Sequence, residues 1–150
     1  MSIRSATAAD VPAIIAVELS AGTLFEGTHM AWAVGETSTV AQLLELIDRR
    51  LVWVSEIDGS VAGYLSGEPL DGAFHIEEVA VSRAHHRQGV GRALLENVAE
   101  WAREMGFDAL TLTRHIMNVS VFRLLQMRIC RRNCETPWLK SLIRTVDVQW

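Results

Sequence analysis

The run VAVSRAHHRQGVGRALL, residues 79–95, constrains the fold more than any other part of the chain. It opens on strand-forming residues and closes on apolar positions at helical spacing. Between them lies a short basic turn with two glycines, Gly89 and Gly91. A strand feeding a helix in this way predicts a strand–helix–strand crossover, which joins parallel strands with a right-handed connection. The turn also has a chemical consequence. A helix start carries unpaired backbone N–H groups and a partial positive charge. Glycines allow close approach to that backbone, and Arg83, His85, His86, Arg87 and Arg92 add positive side chains. These features predict a site for phosphate, with pyrophosphate the favoured form.

A chain of 150 residues, 49% hydrophobic and 21% charged, is expected to form one domain with a substantial core. Its net charge of −4 argues against nucleic acid as the main partner. The basic cluster is local and suits a small anionic ligand. Cys130 and Cys134 form no CxxC pair and have no second pair, so neither a zinc site nor any other metal is expected. No unbroken apolar run reaches the roughly 18 residues needed to cross a membrane, and MSIRSAT does not read as a secretory signal. The expectation is a cytoplasmic protein that engages no membrane.

Periodicity and turn signals organise the remainder. A short strand at 2–6 precedes a helix at 7–21, capped by Thr7 or Asp10, with Val11, Ile14, Ile15, Val17 and Leu19 on its apolar side. Residues 22–36 read as a loop or broken helix, and 41–50 as a second helix. Strands follow at 51–57, 61–66 and 74–81; Asp58-Gly59 marks a hairpin, and GEPLDG a looser turn. A long helix from Gly89 to Met105 stops at Gly106, before a strand at 108–113. A helix is expected at 118–127, then a short strand near 127–131 and a helix near 138–144. The fold class is α/β with a mixed sheet, in the order β-α-α-β-β-β-α-β-α plus a further C-terminal element.

This order, with VAVSRAHHRQGVGRALL after the third consecutive strand, resembles the GNAT N-acetyltransferase superfamily. The family's acetyl-CoA signature falls on His86, Arg87, Gln88, Gly89, Val90 and Gly91, with His86 where Gln or Arg is usual. NVSVFRLLQM resembles a later family segment, but with Phe122 in the place usual for a tyrosine, and Gln126 and Met127 in place of Gly-Phe. The resemblance implies one GNAT-like acyl-CoA N-acyltransferase domain over 1–150. Its N-terminal half (1–72) would hold the acceptor loop, 73–113 the acetyl-CoA core, and 114–150 a divergent end.

The resemblance implies transfer of an acetyl group from acetyl-CoA to an amine by direct attack. The turn at His86–Arg92 would hold the pyrophosphate, and Asn118 and Phe122 would also belong to the cofactor site. Backbone groups of Val79, Ala80 and Val81 would align the pantetheine arm. A strand glutamate would take the amine's proton. Glu77 matches the glutamate that serves as base in several members and is favoured over Glu78, with His75 in reserve. Adjacent strand residues alternate faces, so the two carboxylates are expected on opposite sides, Glu77 sharing a face with Val79 and Val81. The one tyrosine, Tyr64, lies elsewhere, leaving water, His115 or another group to protonate the departing thiolate. The 22–36 loop offers Phe25, Glu26, His29 and Trp32 to a small-molecule or peptide amine, and Glu36 further charge. Trp138 and Trp150 are expected at a homodimer contact. A sensor that binds CoA without turnover is the rival reading. A nucleotide-binding enzyme lacks its glycine motif, and a thiol enzyme built on Cys130 or Cys134 lacks a nearby base.

Overall fold

The computed structural model describes residues 1–28, 30–118 and 121–131, with side chains among them as far as Leu112. A six-stranded sheet has its strands side by side in chain order. They are β1 (Ser2–Ser5), β2 (Val52–Ile57), β3 (Ser60–Leu70), β4 (Ala73–Val81), β5 (Ala109–Asn118) and β6 (Val121–Arg131). Neighbours are antiparallel except β4 and β5, which are parallel. The helices are α1 (Val11–Gly22), α2 (Val40–Asp48) and α3 (Val90–Glu104). The crossover expected from residues 79–95 is β4–α3–β5.

Alternation along the strands makes two cores. Trp53, Leu65, Phe74 and Ile76 meet Val90, Leu94, Leu95 and Val98 of α3 on one face. Each such large side chain, once fully buried, stabilises the fold by about 1.5–3 kcal/mol. Val52, Val54, Tyr64 and Ala80 meet Val11, Ile14 and Val17 of α1 and Leu43 of α2 on the other. Trp53, Phe74, Trp101 and Phe107 stack edge-on or tilted around the α3 face.

The N-terminal helix begins as a 3-10 turn, Ala8–Asp10, and continues as α1 with Pro12 in its first turn. Asp10 accepts from the Thr7 backbone and hydroxyl. It is also gripped by Arg4, which reaches Glu56 as well. Leu19, expected on the apolar side, is exposed. The stretch Ala8–Phe25 is long and apolar enough to cross a membrane by composition, with a mean hydropathy of 1.5. Here it is bent into two turns and a helix, and Asp10 and Glu18 within it are buried in polar contacts. It is a core helix of this fold.

Two sequence expectations are corrected. GEPLDG is not a loose turn: β3 continues through Leu70, and Asp71-Gly72 makes the turn alone. Both residues are left-handed, φ 50° and 80°, which suits a tight hairpin; the gapped Gly-Pro composition had hidden the strand end. Within the helix expected at 118–127, Asn118 and residues 121–127 are instead strand. β5 runs on to Asn118, and β6 pairs along it from Ala109↔Arg131 to Asn118↔Val121. A short apolar run fits either period, and the free edge of β5 supplies the hydrogen-bond partners that decide it. The described order is therefore β-α-α-β-β-β-α-β-β. The helix near 138–144, Trp138 and Trp150 lie outside the described residues.

Candidate active site

The parallel pairing of β4 with β5 runs only from Ala73↔Ala109 to Ile76↔Leu112. Beyond Ile76 the strands part, and residues 77–81 of β4 keep β3 alone as a neighbour. The ladder phase shows which groups face the gap. Ser82 N–H donates to the Ala62 carbonyl, one step beyond the Gly63↔Val81 pair. Hydrogen-bonded and non-bonded pairs alternate in an antiparallel ladder, so Ala80 faces β3, while the backbone groups of Val79 and Val81 face the gap. The carbonyl of Val81 is already taken: His86 Nε2 lies 2.9 Å from it and donates. The unusual first residue of the glycine signature thus staples the turn to the end of β4.

The turn between β4 and α3 has an unusual backbone. Arg87 and Gly89 both have left-handed backbones, φ 61° and 79°. Left-handed residues that alternate with right-handed ones can turn successive N–H groups into a nest. Gly89 precedes α3 without any side-chain cap bond, so the first N–H groups of the helix remain available. Gln88 donates to the Ala84 carbonyl, and Arg92 is paired with Glu96. Arg87, exposed, makes no hydrogen bond or ion pair among the described residues. Val90 is buried against the sheet, and Gly91 sits beside Val81. The phosphate-binding residues read from the sequence therefore meet at one end of the gap.

Glu77 and Glu78 stand where the strands part, with an arrangement the sequence did not show. Ser66 pairs with Glu78 but Gly67 pairs with Ile76, so Glu77 is an extra residue in β4, a β-bulge. The bulge shifts the alternation: Phe74 and Ile76 before it, and Val79 and Val81 after it, all pack on the α3 side. Glu77 does not share that face, and the two carboxylates are not on opposite sides as expected. Glu77 interacts with Glu68 and His75, Glu78 with Glu18, and both with each other. Both lie on the α1 face.

Crowding by protein atoms raises the proton affinity of Glu77, and the Glu68 charge adds to it. Solvent reaches Glu78, yet the protein crowds it closely. That crowding, then the charges of Glu18 and Glu77, push its carboxyl up to about 7. His75 sits below, its Nδ1 2.9 Å from Thr111 Oγ1. Tyr64 is fully buried and donates to Glu18. Burial, together with Glu78 and Glu18, pushes its hydroxyl well above the usual phenol range.

Other sequence candidates are scattered. Phe25 is half-buried in the 3-10 turn Thr23–Phe25, and Glu26 and Trp32 are exposed; His29 lies outside the described residues. Asn118 ends β5, at the same end of the sheet as the close of β4, and Phe122 is opposite Met117 on β6. They occupy strands rather than the expected helix. The sequence reading did not include Glu18 and Ser38, both bonded in the network behind Glu78. Glu18 interrupts the apolar pattern of α1, and that was the one available signal.

A mixed sheet parts beside a parallel crossover, and the glycine turn that opens α3 lies at the end of that gap. The acetyltransferase (GNAT) family profile matches residues 22–127. The chain belongs to the acetyltransferase (GNAT) family. It is 33% identical over 63 residues to the Xenopus tropicalis protein named "Probable N-acetyltransferase camello", covering 40% of this chain and 29% of that one. It is 42% identical over 45 residues to streptothricin acetyltransferase A of Bacillus subtilis, 30% of this chain and 26% of that one. These matches thus span under a third of either relative. Among solved structures, PaiA N-acetyltransferase of Thermoplasma acidophilum with coenzyme A superposes with a TM-score of 0.69 at 17% identity, covering 79% of this chain and 81% of that one. Ribosomal-protein-alanine N-acetyltransferase of Brucella melitensis gives 0.63 at 27% identity, covering 80% and 78%.

Proposed function

We propose that this chain is an N-acetyltransferase that moves an acetyl group from acetyl-CoA to a primary amine, with Glu78 as the base. The observation that carries this reading is the carboxyl of Glu78, set where β4 leaves β5 and pushed up to about 7. A general base works best with a proton affinity near the working pH. An ammonium has no lone pair, so the acceptor must surrender a proton before it can attack.

The residues present fit coenzyme A on two counts: the left-handed backbones at Arg87 and Gly89 before an uncapped helix start, and the outward-facing backbone of Val79 and Val81. The nest and Arg87 would hold the pyrophosphate, and the Val79 and Val81 backbone would align the amide-bearing arm. When bound, the cofactor supplies an acetyl thioester carbonyl and a thiolate leaving group. The amine nitrogen bonds to that carbonyl carbon, the carbon–sulfur bond breaks, and the amine's proton passes to Glu78 directly or through one water. Tyr64 is committed to Glu18, so the thiolate takes its proton from solvent. Glu77 acts through Glu78, since its charge opposes loss of the neighbouring proton. The acceptor is an amine, and Glu26 and Trp32 at the mouth of the 22–36 loop suit a cationic or part-apolar one.

A thiol-release assay across an amine panel tests the activity. Wild type releases coenzyme A with at least one amine, and Glu78→Gln reduces kcat/KM by about 10²-fold or more with little change in cofactor affinity. Tight coenzyme A binding without release for any amine would favour a sensor and overturn the enzymatic reading.

A further inference from the structure

Glu18 lies in α1 and is buried. Three donors converge on its carboxylate. Ser38 donates from its backbone N–H to Oε2 at 2.8 Å and from its hydroxyl to Oε1 at 2.6 Å, and the Tyr64 hydroxyl donates to Oε1. No cation pairs with it among the described residues. Neutral donors satisfy a buried carboxylate without cancelling its charge, and holding such a charge out of water is costly. A glutamine would accept similar bonds at lower cost.

That charge acts on both Tyr64 and Glu78. Tyr64 pairs with Ala80 and Ser66 with Glu78, so Tyr64 and Glu78 are diagonal neighbours on the α1 face. The charges acting on Glu78 are Glu18 from α1 and Glu77 from its own strand, and the Glu78 charge acts in turn on Tyr64 of β3. Glu68, His75 and Arg49 act on Glu77, one step removed. The Ser38 bonds add a mechanical role, because Ser38 ends the loop that leaves α1 and enters α2.

We infer that Glu18 is a positioning residue for the transfer reaction: its uncompensated charge, fixed by Tyr64 and Ser38, sets how tightly Glu78 holds a proton, and the same bonds fasten the end of the acceptor-side loop beside that carboxyl. The inference rests on Glu78 being the base, and it gives α1 a part in the chemistry that the glycine turn and the parted strands do not supply.

Carbon-13 NMR titration of protein labelled at glutamate side-chain carboxyls tests it, with the Glu78 signal assigned by its loss in Glu78→Gln. Glu18→Gln lowers the Glu78 midpoint by about one pH unit or more, and the acid limb of kcat/KM moves down with it. Tyr64→Phe keeps the buried ring, removes one donor from Glu18, leaves that charge less dispersed, and raises the midpoint. A midpoint unmoved in Glu18→Gln overturns the inference. If that variant does not fold, Tyr64→Phe decides: a rise supports the inference, and no movement or a fall overturns it. The base assignment fails separately, by a Glu78→Gln enzyme as fast as wild type, whatever the titration shows.

Discussion

The two faces of the sheet are built from the same strands and are chemically unlike. The side chains of the α3 face are apolar and aromatic: Trp53, Phe74, Trp101 and Phe107 interlock over the buried leucines of α3. The α1 face has comparable aliphatic packing, but Glu18 and Tyr64 are buried within it, and Glu77 and Glu78 project on the same side. Ionisable groups under a sheet are a cost to stability, so confining them to one face separates what holds the fold from what tunes the chemistry. The bulge at Glu77 makes this separation by turning both carboxylates away from the apolar face while Val79 and Val81 stay on it.

This separation breaks most sharply at Phe74. Phe74→Ala opens a cavity in the α3 core and costs about 3–5 kcal/mol, read as a lower urea midpoint. The pH midpoint of the activity that remains should stay put, and a shift would show that the faces are coupled. Gly67→Ala strikes the bulge itself. A Cβ there would collide with the His75 carbonyl oxygen and lie 2.8 Å from the Phe74 ring. The expected loss is about 1–3 kcal/mol together with a moved activity midpoint, since the Glu77–Glu78 arrangement depends on the bulge. An unchanged midpoint would detach the bulge from the chemistry.

Smaller effects follow from linkage. The Glu78 carboxyl is raised from an ordinary 4.5 to about 7. Its contribution to stability is therefore complete below about pH 4.5 and is lost as pH rises through 7. Glu78→Gln should flatten that stretch of the urea midpoint against pH. Asp10 has the opposite sign: the Arg4 guanidinium holds it well below the ordinary 3.8. Its contribution is present above that range and is lost as pH falls beneath it. Arg4 is part-exposed, so Arg4→Ala should cost no more than about 1 kcal/mol at neutral pH, with the loss disappearing in acid.

Much of the site was legible beforehand because its parts are local. The basic glycine turn, the strand before it and the helix after it occupy consecutive residues, and the features that mark them are backbone ones. The Asp58-Gly59 hairpin was equally plain, since two adjacent left-handed residues demand that chemistry. The face assigned to Glu77 went wrong because a bulge leaves no mark in the alternation of one strand; it appears only when β3 is laid beside β4. The 118–127 segment was misread because its apolar residues fit both periods, and the edge offered by β5 lies outside the segment. Glu18 and Ser38, twenty positions apart, have no sequence signal tying them to Glu78.

The order of strands and helices as far as β5, the parallel crossover and the glycine turn that opens α3 were determined by the chain alone, because periodicity, turn residues and helix ends act over a few neighbours. Where β4 parts from β5, which way its carboxylates point, and how much negative charge stands behind Glu78 were decided only by tertiary structure. Those properties depend on registers between strands and on charges that meet across α1, β3 and β4, and electrostatic energy follows distance in space rather than position along the chain.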